Sequence, residues 1–190
     1  MNSAFARDYL YPKTRLMIHQ VMYSGEKGKS FAETGIGYGI SLSVFADGNF
    51  LSPYFSIQGA SLKNNQIFLD GPNEVKSSFI YYYGAAEPGI QYYVIPRRKT
   101  GANVYISGSG IIGYNYVALE KNLSLSHISN TDQSFSLGYA TGIGTEYVFS
   151  SNPKSRWALI GQIQYRQEKA QLLKTNFDIS SLNLSVGASW

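Results

Sequence analysis

The group best suited to chemistry in this 190-residue chain is the tetrad His127-Ile128-Ser129-Asn130. A His and a Ser two positions apart on a strand point the same way. With a carboxylate to orient the imidazole, such a pair is the basis of a hydrolytic nucleophile. A polar segment rich in Ser and Asn also produces this arrangement without any catalytic meaning. Metal chemistry has less support. His19 and His127 are the only histidines and there is no cysteine. The carboxylates Asp70 and Glu74 match no defined calcium loop. The sequence therefore predicts no metal ion and no cofactor.

A second set of reactive groups is spread along the chain. Glu33, Glu146, Arg166 and Glu168 fall on rows of otherwise small or polar side chains, and Arg15 and His19 can join them. Held together in a narrow space, such charges must pair with one another or meet water. They would form either a hydrogen-bonded plug or a path for ions or protons. Clustered tyrosines, Tyr81-Tyr82-Tyr83 and Tyr92-Tyr93, supply further polar tips. They read as interfacial and space-filling residues, or as a platform for sugars or lipid headgroups.

Alternation decides which elements position these groups. Successive side chains of a strand face opposite sides. Over 34–46, Thr34, Ile36, Tyr38, Ile40, Leu42, Val44 and Ala46 alternate with Gly35, Gly37, Gly39, Ser41 and Ser43. Residues 135–149 and 182–190 repeat the pattern, with bulky rows running from Phe135 to Phe149 and from Leu182 to Trp190. A helix over 157–174 is the main local competitor because Gln, Glu, Lys, Ala and Leu favour helix. Trp157, Leu159, Ile163 and Tyr165 nevertheless alternate with Gln162, Gln164 and Arg166, which favours a strand. Tight turns fall at 47–49, 97–102 and 150–155, and longer polar segments at 25–30, 63–76 and 120–133. This predicts strands over 13–24, 31–46, 50–62, 77–95, 103–119, 134–149, 156–170 and 176–190, with a bend or bulge at Pro88-Gly89 in the fourth.

The predicted fold is all-β: an eight-stranded antiparallel up-and-down transmembrane barrel over 13–190, preceded by an N-terminal periplasmic segment 1–12. Charged residues make up only 15%, against about 25% in ordinary soluble domains, and Tyr (16) and Gly (19) are abundant. No apolar run approaches the ~18 residues of a membrane helix. A soluble lipocalin-like barrel would put its bulky rows inside and charge outside. Here the lesser rows are Gly, Ser, Asn and Gln, which suit the crowded lumen of eight strands. A sandwich of two sheets is the remaining alternative. The net charge of +4 is too small and too dispersed for a nucleic-acid surface. Short turns at one end and longer loops at the other match membrane barrels and put both termini in the periplasm. Ala4-Phe5-Ala6 has the form of a signal-peptide cleavage site, which makes 1–6 a candidate leader remnant and implies a signal peptide in the precursor.

On this pattern, and on the terminal segment Leu182-Asn183-Leu184-Ser185-Val186-Gly187-Ala188-Ser189-Trp190, the chain resembles the small outer-membrane barrels of the OmpA and OmpX type. The resemblance implies a bacterial outer-membrane location and a monomer. It makes Trp190 the end of the signal read by the β-barrel assembly machinery, and phospholipid and lipopolysaccharide the surrounding partners. It carries fold and location, not activity; with no family loop motif in the sequence, the role is read as a structural or surface-interaction one in envelope integrity or adhesion. The tetrad also resembles the H-x-S-N motif of the outer-membrane lipid A deacylases. That would make His127 the base, Ser129 the nucleophile, Asn130 an oxyanion partner and Glu146 or Asp132 the orienting acid. In that family the motif lies close to the C-terminus, whereas three predicted strands follow it here. The expectation is therefore a non-enzymatic barrel with a plugged lumen, with the deacylase-like hydrolase and a narrow channel as alternatives.

Overall fold

The computed structural model describes residues 12–24, 34–46, 48–69, 75–119, 131–150, 157–172 and 175–190. These form eight strands: β1 (Pro12–Ser24), β2 (Thr34–Ala46), β3 (Leu51–Leu69), β4 (Val75–Tyr93), β5 (Gly101–Leu119), β6 (Thr131–Val148), β7 (Ala158–Leu172) and β8 (Thr175–Ser189). Each pairs antiparallel with its sequence neighbours, and β8 closes on β1. The segment 157–174 is strand wherever it is described. A helix there would have left the facing edges of β6 and β8 unpaired.

The register fixes the barrel's shape. Following paired residues from Lys13 through Phe45, Tyr54, Gly89, Ser109, Ala140, Arg166 and Ser181 returns to β1 at Tyr23, ten residues further on. With strands ~4.8 Å apart and ~3.3 Å per residue, that stagger tilts the strands by about 40°. The lumen of such a barrel is wide enough only for side chains.

Parity sorts the residues as alternation predicts. Leu16, Ile18, Ile40, Leu42, Ile143, Leu159, Ile163, Leu184 and Val186 stand exposed on the outside, while Ser41, Ser43, Gln164, Arg166, Asn183 and Ser185 are buried inside. The charged strand side chains that point outward among the described residues are Lys63, Lys169 and Asp178, all toward the end that carries connections 25–33, 70–74, 120–130 and 173–174. Aromatic pairs mark the rims of the apolar band. Trp157 stacks on Trp190 at 5.5 Å and Tyr147 meets Phe149 at 5.2 Å near the turn end. Tyr114 meets Phe135 at 5.5 Å toward the loop end. On β7 the apolar row runs from Trp157 to Tyr165, which spans roughly 20 Å of height at the strand rise and tilt above.

Two expectations are corrected. The predicted bulge at Pro88-Gly89 is absent. Ala86 pairs with Ile112 and Gly89 with Ser109, so the register is the same on both sides of Pro88. Pro88 points outward, and the ladder to β5 is interrupted only at Glu87 and Pro88, as a missing N–H requires. The irregularity lies instead in β3, between Asn64 and Ile67. Much of 63–76 and the end of 120–133 are strand rather than loop. As a result β3, β4 and β5 have 19 residues each and β6 has 18, against 13 in β1 and β2 and 15 in β7 and β8. The extra length lies on the loop side, because the turn ends are level.

Leu184 lies within the apolar band and Ser185, one residue on, contacts His19 inside. Leu184→Arg should cost about 2–4 kcal/mol of unfolding free energy in lipid vesicles, read by denaturant titration. Ser185→Arg should act by overpacking the lumen instead. Small effects at both positions would contradict the assigned facing.

Candidate functional site

The chemistry of this chain is concentrated in its lumen, which is filled in three levels. At the loop end the filling is apolar. Val21, Tyr23, Leu62, Tyr81, Val117, Leu172 and Ile179 form one buried cluster. Tyr23 meets Tyr81 edge-on at 5.8 Å. The Tyr81 hydroxyl donates to Asn115 Oδ1, and Asn115 Nδ2 donates to the Ser134 carbonyl at 3.3 Å. The Tyr81 hydroxyl and the Asn115 amide thus find their partners within the protein.

The middle level is built on Arg166. Its Nη1 lies 2.6 Å from Glu87 Oε1, a close ion pair rather than an aligned hydrogen bond. Its Nη2 donates to the Tyr83 hydroxyl and lies 3.4 Å from Glu168 Oε1. The Tyr83 hydroxyl donates onward to Glu168 Oε1 at 2.8 Å, and Ser136 Oγ donates to Glu168 Oε2 at 2.6 Å. Arg166, Glu87 and Glu168 are all at least 96% buried on their side chains. Next to this group, His19 Nδ1 lies 2.6 Å from Ser185 Oγ. Removing one partner from such a set leaves uncompensated charge in a low dielectric.

The turn end is closed by residue 97. From the connection between β4 and β5, Arg97 turns inward and makes a two-pronged contact with Glu146, through Nε and through Nη2, the latter at 3.0 Å. Asn103 Nδ2 also donates to Glu146 at 3.2 Å. Asn103 holds the turn itself, accepting from Arg98 N at 2.6 Å and donating to the Arg98 carbonyl. The Arg97 amide donates to the Asn49 carbonyl at 2.8 Å, which ties this turn to the one between β2 and β3. Gly101 resumes the strand with φ of +88°, a conformation that favours glycine. Inward glycines make room for rings at this level: a Cβ on Gly144 would sit 2.3 Å from the Tyr105 ring.

The sequence candidates are distributed as follows. Arg166 and Glu168 come together, whereas Glu146 lies near the turn end with Arg97. Glu33, His127, Ser129 and Asn130 lie outside the described residues. Asp132 is at the loop end of β6, and Glu146 is at the opposite end of the same strand, ~50 Å along it from Thr131 at ~3.3 Å per residue. Sequence reasoning gives no role to Glu87 or Asn103. Glu87 shares parity with Tyr83 and Gln91, a signal hidden by the expected bulge beside it. Arg97 is placed only in the turn 97–102, and Tyr83 only among the interfacial and space-filling tyrosines. Among the described residues, no three His, Asp or Glu side chains gather as a metal site. Two small cavities in the lumen have volumes of about 10 and 20 Å³ and meet at His19 and Gln58.

No family model and no curated protein matches the sequence. Solved structures do. Neisserial surface protein A has a TM-score of 0.61 at 16% identity, covering 94% of this chain and 95% of that one. Ail, the attachment invasion locus protein of Yersinia pestis, has a TM-score of 0.53 at 12% identity, covering 94% and 97%. The outer membrane protein OprG of Pseudomonas aeruginosa has a TM-score of 0.52 at 10% identity, covering 95% of each chain. The chain thus has the fold of small eight-stranded barrels of this kind.

Replacing Arg166 by Met would strand Glu87 and Glu168. The expected loss is about 3–5 kcal/mol of stability, measured by denaturant unfolding in lipid. Adding Glu87→Gln and Glu168→Gln should restore most of it. A single-variant loss below ~1 kcal/mol would show that the charges are not held as described.

Proposed function

We propose that this chain is an integral barrel of the bacterial outer membrane that serves as a rigid, non-conducting scaffold for contact at the cell surface. The observation that carries this reading is the inverted distribution of side chains. Bulky apolar rows lie outside, and buried charge is paired inside. In water such a surface would be an exposed apolar belt far larger than soluble monomers tolerate. In lipid it is matched to its solvent, and the closed sheet leaves no unpaired backbone edge within the apolar band.

A plugged lumen is favoured over a channel by the small volume of the two interior cavities, each room for about one water molecule. It is also favoured by the Arg97–Glu146 contact across the turn end. The surface role is supported by the greater length of β3 to β6, whose loop-side ends at Leu69, Val75, Leu119 and Thr131 rise beyond the apolar band. Two proteins of similar fold are named for surface or attachment functions. The barrel functions as a monomer surrounded by phospholipid and lipopolysaccharide. Trp190 completes the strand offered to the assembly machinery. No catalytic role is assigned to His127, Ser129 or Glu146.

Planar-bilayer recordings on the heat-modifiable, folded protein test this reading. The expected result is no discrete conductance steps, together with an unchanged lipid A acyl pattern by mass spectrometry for wild type and Ser129→Ala alike. Steady unitary steps would replace the scaffold by a channel. Acyl loss that depends on Ser129 would replace it by a hydrolase.

A further inference from the structure

We propose that the lumen holds one small monovalent anion, of the size of a halide, on the guanidinium of Arg15. The inference goes beyond the surface role and does not depend on it.

Arg15 is 2% exposed. It stands in one lateral row with Ser43, Ser56 and Glu87 across β1 to β4. A guanidinium has five donors. Here Nη2 donates to Gln91 Oε1 at 3.0 Å and the cation lies 4.6 Å from the centre of the Phe45 ring, but Nε has no partner. No carboxylate lies within ion-pair distance of it among the described residues. Among the described residues the buried lumen cations are Lys13, Arg15, Arg97 and Arg166, and the buried carboxylates are Glu87, Glu146 and Glu168. Every one of those carboxylates is already committed, Glu146 to Arg97 and the other two to Arg166.

Beside Arg15 is the cavity of about 20 Å³, which Ser41, Gln58, Gln91, Glu87 and Ser185 also line. A water molecule there would satisfy Nε but leave the buried charge in place. A buried unpaired ion is costly by several kcal/mol, so an anion is the better occupant. The volume sets its class: there is room for about one water-sized particle, which excludes phosphate, sulfate and carboxylic acids. The Glu87 carboxylate on the same wall does not repel it strongly, because Arg166 lies 2.6 Å away.

The test refolds the full chain and crystallises it from bromide in place of chloride. An anomalous peak within contact distance of Arg15 Nε is expected. Featureless density, or a water without anomalous signal, would overturn the site. In parallel, protein refolded in sodium chloride should melt several degrees higher than in sodium gluconate at equal ionic strength, and Arg15→Met should abolish the difference. Equal melting of the wild type in both salts counts against the site, and the bromide peak decides even if Arg15→Met fails to fold. A conducting lumen would appear in bilayer recordings whatever the halide result, so the two readings fail separately.

Discussion

Closure of eight strands with a stagger of ten residues is the constraint on which the rest depends. It removes every unpaired edge from the apolar band, which is what allows a sheet to stand in hydrocarbon. It also fixes a bore too narrow for anything but side chains. The outer rows are thereby free to be uniformly greasy, and the inner rows must be small, or polar and paired. Both requirements appear in a single strand: in β2, Ile36, Tyr38, Ile40, Leu42 and Val44 face out while Ser41 and Ser43 face in.

The narrow bore forces a division of labour within the lumen. Apolar and tyrosine side chains fill the loop end, where they exclude water without help from ions. Arg166 holds two carboxylates at mid-height. Arg97 comes from a turn rather than a strand to neutralise Glu146 at the other end. Phe45, 1% exposed, lies between the guanidinium groups of Arg15 and Arg97, at 4.6 and 5.8 Å from its ring centre. Buried ion pairs of this kind contribute little net stability over an apolar filling of equal shape. Their value to a barrel is that misregistered strands would leave charges stranded, so the pairing penalises the wrong shear.

Much of this was legible from parity alone. The period of two identifies the strands, and the bulk of one row against the smallness of the other identifies the outside. Glu146, Arg166 and Glu168 were placed in the lumen because their rows are otherwise small or polar. Parity cannot say which interior charges on different strands meet, since that depends on the stagger between strands far apart in sequence. Glu168 lies two residues from Arg166 on the same row of β7, so parity does place that pair together, whereas Glu87 reaches Arg166 across the lumen from β4, which no local pattern encodes. Arg97 has no parity at all, because it sits in a turn. The length of β3 was underestimated because Lys63, Asn64 and Asn65 read as loop. A strand rising beyond lipid is free to be polar on its outer face, so its sequence resembles a loop there. The likeness to known barrels extends to fold alone.

The most direct test of the account is the environment of alternate residues on one strand. The chain has no cysteine, so single cysteines at 182 to 186 on β8 can carry spin labels without background. In bilayers, labels at 182, 184 and 186 should collide freely with oxygen and be shielded from a water-soluble nickel complex. Labels at 183 and 185 should be shielded from both. Nickel access at the even positions, or oxygen access at the odd ones, would place the greasy rows away from lipid and contradict the account.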